Sequence, residues 1–196
     1  MIPQEFFDGV PVPAAVTLDG ELLGALDEAP AGAWLAQMIE GVDVRSLTML
    51  DLGTYLRQCA REQAWLASCV DTAVAELASR RDPDVAADAE VALALREPLQ
   101  LAQRRIHRAQ RLRSLLPAFK RAFHRGDLSE YDVVQLVEAT SCTDDPELLA
   151  RVQESTMANV RGQSGAQLRR YAVGCSTAST RPRRTAGPAR PARRRT

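Results

Sequence analysis

TMLDLGTYLRQCAREQAWLASCVDTAVAELASR, residues 48–80, is the stretch that decides the fold. Thr48 can cap a helix, and Asp51 three residues on can complete a capping box. Leu52, Leu56, Cys59, Gln63, Leu66, Val70, Ala73 and Leu77 then recur at steps of four and three, which is heptad spacing. Gln63 interrupts this seam, and Gly53 weakens the first turn by roughly 1 kcal/mol relative to alanine. The pattern predicts one helix running to about Arg80. Its seam suits either the chain's own bundle or the pairing of two copies through Leu52–Leu77, and intrachain packing is the expected use. Trp65 lies beside the seam and reads as a packing anchor.

Outward from this helix the signals stay helical. Ala33–Glu40 reads as a short helix closed by Gly41. Arg81-Asp82-Pro83-Asp84 reads as a turn, with Asp84 able to cap a helix that ends near Arg96. Pro98 fits the first position of the next helix, where its missing N–H costs nothing. That helix is expected to reach Leu116, and Pro117 marks a boundary. A short basic helix follows to Gly126. Ser129 with Asp132, Asp145-Pro146, and Ser164 with Gln167 open three more. Apolar content of 45% with only 5% aromatics implies a core of Leu, Val and Ala. The fold class is therefore all-α, a multi-helix bundle with a long N-terminal helix and a candidate helix-turn-helix. Residues 1–30, rich in Pro and Gly, are expected to be a loosely ordered leader. Residues 31–174 form the helical domain, and 175–196 an Arg-rich tail expected to be disordered.

The charges cancel to zero overall but are strongly separated. Of 25 basic residues only Lys120 is not Arg, a usage that suggests a GC-rich genome. Residues 96–125 hold nine bases and the single acid Glu97, while 1–60 hold nine acids and only Arg45 and Arg57. Such separation points to an anionic partner for the middle of the chain.

Residues 90–112, EVALALREPLQLAQRRIHRAQRL, focus that expectation. At 100° per residue Ala102, Ile106, Ala109 and Leu116 share one side of the helix. Gln100, Arg104, His107 and Arg111 share the other, flanked by Gln103 and Arg108. Arg can bond guanine bidentately, Gln can bond adenine, and neighbouring Arg can neutralise phosphate. Gln100, Gln103, Arg104, His107 and Arg111 are accordingly the expected DNA contacts, with Arg108, Lys120 and Arg121 on phosphate. The preceding helix, through Val91 and Leu95, would brace the reading helix. A solvated basic face accounts for the same pattern. The turn lacks the glycine frequent in such motifs, and Glu97 would sit close to phosphate.

Catalysis and cofactors find no support. His107 and His124 are the only histidines, and neither gathers a metal-ligand cluster. His124 reads as a cation near a helix C-terminus. No phosphate loop, dinucleotide fingerprint or nucleophile elbow occurs. Cys59, Cys69, Cys142 and Cys175 form no CxxC pair, which fits a reducing cytoplasm. No apolar run reaches the roughly 18 residues of a membrane span, and the acidic N-terminus is unlike a signal peptide.

The order Glu90-Val91-Ala92-Leu93-Ala94-Leu95, Ala109, Leu112, Leu116-Pro117, Gly126-Asp127-Leu128-Ser129, Thr140 and Gln167-Leu168-Arg169-Arg170 resembles the actinobacterial domain-of-unknown-function 222 family, also called the thirteen-E-twelve repeat. With the long helix the resemblance covers roughly residues 46–174. It implies an all-helical domain that usually precedes an HNH endonuclease module, and so a nucleic-acid setting. No histidine follows His124 and Asn159 is the only asparagine, so no nuclease residue carries over. A shifted reading frame through Gly174–Thr185 would permit a leucine-rich continuation, and the tail is read as a frameshifted end in place of that module. The expected function is a truncated, non-catalytic DNA-binding helical domain. The alternatives are a helical interaction or dimerisation module, or a gene remnant without selected function.

Overall fold

The computed structural model describes residues 26, 29–81, 87–160, 167–170, 172 and 173. The described residues form an all-α bundle with no strand. The elements are α1 (Ala33–Glu40), a 3-10 turn (Val44–Ser46), α2 (Met49–Arg80), α3 (Ala87–Leu95), α4 (Leu99–Ser114), α5 (Pro117–His124), α6 (Glu130–Thr140) and α7 (Pro146–Met157). A helical segment at 167–170 follows. The turn at Asp82–Asp84, the cap at Ser164, the leader through Ala25 and the tail from Gly174 lie outside the described residues.

Local chemistry sets the helix starts. Thr48 accepts from the Asp51 amide and Asp51 accepts from the Thr48 amide, closing a capping box. Ser129 and Asp132 do the same for α6. Asp145 caps α7, with Pro146 at its first position. Pro98 sits one place earlier than expected, as the N-cap of α4, and α4 ends at Ser114 rather than Leu116. Between α3 and α4 the chain turns at Arg96, whose φ of 54° is left-handed. The Glu97 amide donates back to the Ala92 carbonyl there, so Arg96 occupies the place where glycine commonly ends a helix.

The principal core gathers Leu112 and Leu116, Phe119 and Phe123, Leu128, Val133, Leu136, Leu149 and Val152. It lies among α4, α5, α6 and α7, with Ala64 of α2 on its edge. A second cluster joins Val74 and Ala75 of α2 to Val91 of α3 and to Ala102 and Ala109 of α4. Leu26 and Leu35 form a third, with Met38, Ile39, Val42 and Leu47 around them. Gly126 (φ 77°) lets the link from α5 to α6 press on α2, since a Cβ there would stand 2.8 Å from Arg61 Cβ. Helix α4 is thus ringed by α2, α3, α5 and α6.

Candidate interaction surfaces

Because α4 has neighbours on several sides, its free face is narrower than its helical wheel suggests. Ala102, Ala109 and Leu116 are buried as expected, and Ile106 partly so. Gln100, Gln103, Arg104 and His107 are exposed. Arg108 and Arg111, expected to touch DNA, are instead turned inward at 7% and 8% exposure.

Both buried arginines are engaged with acids and carbonyls, Arg108 through Nε and Nη2 and Arg111 through its two Nη groups, its Nε being buried without a partner among the described residues. Arg108 donates to Asp71 through Nε at 2.8 Å and Nη2 at 2.7 Å, and its Nη2 lies 2.9 Å from Glu130. Asp71 is 4% exposed on α2. Arg105 joins the same acids, with Nη1 at 3.5 Å from Asp71 and 3.2 Å from Glu130, and grips Glu97 with Nε and Nη2. Burial would lower the Arg105 pKa, but the Glu97 hydrogen bond and the charges of Glu130, Glu97 and Asp71 outweigh it and raise it. Arg111 donates to Asp144 at 2.6 Å and to the Thr140 and Thr143 carbonyls at 2.9 and 3.0 Å. It thereby satisfies carbonyls at the C-terminus of α6.

The basic run of the sequence is therefore largely consumed inside the fold. Arg113 pairs with Glu76, and Arg125 with Asp127. Among the expected contacts, Arg104, Lys120 and Arg121 make no ion pair with described residues, while Gln103 donates to Asp88 at 2.6 Å. Arg104 and His107 face a cleft of about 990 Å³ between α4 and α6. Leu101, Val134 and Val137 give that cleft apolar wall, and Glu97, Glu130 and Glu138 stand in it as well. Arg105 and Arg108 line it too and pair with Glu97 and Glu130, so the cleft carries no excess of positive charge for a phosphate beyond what Arg104 and His107 supply. His124, whose Nδ1 lies 2.9 Å from the buried Ser68 Oγ, packs by Trp65 at the end of α5. No group of three metal-ligating side chains occurs among the described residues, and no described helix is long and apolar enough to cross a membrane.

The surface that composition did not foretell is on α2. Its buried residues are Thr54, Gln58, Ala64, Ser68, Asp71, Val74 and Ala75, four polar side chains and three apolar ones, with no leucine. Bonds to other parts of the chain hold this side, Arg61 to the Leu26 and Ala29 carbonyls, Ser68 to His124 and Asp71 to Arg108, while Gln58 accepts from Arg61 within the helix. The heptad seam lies on the opposite side. Leu56 is 66% exposed and Leu66 58%, and Gln63 and Ala73 are exposed as well. Met49, at 85%, extends this outward face through the first turn of the helix. Val70 and Leu77 of the seam pack against the Val91 cluster, and Leu52 and Cys59 are half-buried. The expected intrachain use of the seam thus holds for its C-terminal end alone, because polar contacts fix the rotation of α2 about its axis.

Comparison with known proteins finds no matching family model, no similar curated protein and no similar solved structure.

Proposed function

We propose that this chain is a non-catalytic helical interaction module, and that its working surface is the outer face of α2 from Met49 to Leu66. One observation carries the reading. A helix that buries Thr54, Gln58, Ser68 and Asp71 leaves Leu56 and Leu66 in water. Burying a leucine fully is worth about 1.5–3 kcal/mol, so a seam left outside is a source of binding free energy. Large apolar surface left in a contiguous strip marks contact sites more often than isolated exposed leucines do.

A photo-crosslinking residue in place of Leu56, in living cells, tests this directly. Adducts at position 56, absent when the probe replaces the exposed Glu154 on α7, are the expected result. No adduct of any kind at position 56 would sink the reading.

DNA binding remains as a second, narrower proposal, supported by the exposed Arg104 and His107 and by the family resemblance. Gln100, Lys120 and Arg121 would complete its contacts. It has fewer available cations than the sequence implied, because Glu97 and Glu130 neutralise Arg105 and Arg108 in the same cleft.

A further inference from the structure

Resting on the interaction-module reading, we infer that the partner of this face is a second copy of the chain, its α2 lying antiparallel across the first. The two-fold axis would pass between Leu56 and Cys59.

Met49, Leu56, Gln63 and Leu66 are exposed and Leu52 and Cys59 half-buried, and this strip reads well against its own reverse. In this register Met49 meets Leu66 of the second copy, Leu52 meets Gln63, and Leu56 meets Cys59, each pair occurring twice. On one flank Gly53 meets Ala60 of the second copy, small against small. A Cβ built at Gly53 encounters nothing within 4 Å, so space for close approach is present at that position. On the other flank Tyr55 meets Glu62 of the second copy, whose Oε1 accepts from the Gly32 amide at 2.7 Å and whose other oxygen can take the phenol O–H. No two like charges face one another.

The rest of the fold selects this direction. Val70 and Leu77 carry the Val91 cluster, so α3 sits near the C-terminal half of α2. A parallel pair would bring two copies of α3 to the same level beside the seam. The antiparallel pair sends them to opposite ends. The strip is about 27 Å long at 1.5 Å per residue. That is short for a stable dimer, so association belongs to the weak, concentration-dependent class.

Sedimentation equilibrium of the full chain across about three decades of concentration gives the first readout. The average mass is expected to rise from one chain toward two. Gly53→Gln and Leu56→Glu with Leu66→Glu are expected to weaken the dimer at least tenfold with helix content unchanged by circular dichroism. All three positions lie on the outer face, and Gly53→Gln also improves helix propensity, so one variant tests the contact without endangering the fold. The orientation is read from a chain whose four native cysteines are serine and which carries Met49→Cys and Leu66→Cys. Disulfides joining 49 of one chain to 66 of the other are expected on mild oxidation.

A single-chain mass at every concentration overturns the second copy, as does a dimer indifferent to all these variants. Disulfides joining 49 to 49 and 66 to 66 overturn the antiparallel register. A different protein captured at position 56 in cells, with a monomer in the centrifuge, leaves the interaction module standing and removes self-association.

Discussion

Arg108 of α4 holds Asp71 of α2 in a two-pronged grip, at 2.7 and 2.8 Å, with both side chains buried. Their separation of 37 positions makes this bond a tertiary anchor. Glu130 and Arg105 tie α6 into it. Removing one member of such a group leaves a buried charge uncompensated. Asp71→Ala should cost about 3–5 kcal/mol in urea unfolding. Replacing both partners by apolar residues of similar volume should recover much of that loss. Equal damage from the single and double replacements would show that the pair is not coupled in this way.

Arg111 and Arg104 separate structure from DNA contact. Arg111→Ala strands the buried Thr140 carbonyl region and should destabilise the fold by about 1–3 kcal/mol. Arg104→Ala should leave stability within about 0.5 kcal/mol, as exposed substitutions usually do. If duplex DNA is bound through the α4 face, Arg104→Ala with His107→Ala weakens it and flattens its salt dependence. Binding unaltered by that pair would remove the second functional proposal.

Two turn positions should respond in opposite directions. Arg96→Gly relieves a left-handed residue and should stabilise the protein by up to about 1 kcal/mol. Gly126→Ala meets both a positive φ and Arg61, and should destabilise by about 1–3 kcal/mol. Thermal unfolding of both variants beside the parent chain checks the pair.

Glu76 gives a small acid-side effect. Its pKa is held below the ordinary value, first by the hydrogen bond from Arg80 and then by the charges of Arg80 and Arg113. A lowered folded pKa contributes stability above the unfolded value and loses it as pH falls through the folded one. Glu76→Gln should therefore lower stability slightly at neutral pH, and the deficit should vanish in acid. A deficit that persists below the carboxylate range would assign the loss to packing.

Helix existence was legible wherever the signal was local. Thr48 with Asp51, Ser129 with Asp132, and Asp145-Pro146 each start a helix within one residue of the place the sequence assigns. These caps involve residues close along the chain, so no tertiary knowledge is needed. Helix rotation was not legible. The leucine pattern of α2 argued for burying Leu56 and Leu66, whereas the buried side is set by the bonds of Arg61 to the Leu26 and Ala29 carbonyls, of Ser68 to His124 and of Asp71 to Arg108, all outside that pattern. The same blindness affected α4, whose charge excess was counted without Asp71, Glu76 and Glu130 from other helices and Asp144 from the link between α6 and α7. Local composition cannot display acids that arrive through folding.

The inverted helix also bears on how the chain finds its native state. Early collapse rewards hiding leucine, so it favours α2 rolled about half a turn from its final setting. Only when Arg61, Ser68 and Asp71 meet their bonding partners elsewhere in the chain does the correct roll win. Local preference and global order conflict at this one element, which makes it a source of frustration on the folding landscape. A misrolled, collapsed form would shelter the leucines and strand the polar row, and escape from it would require α2 to detach before it could turn.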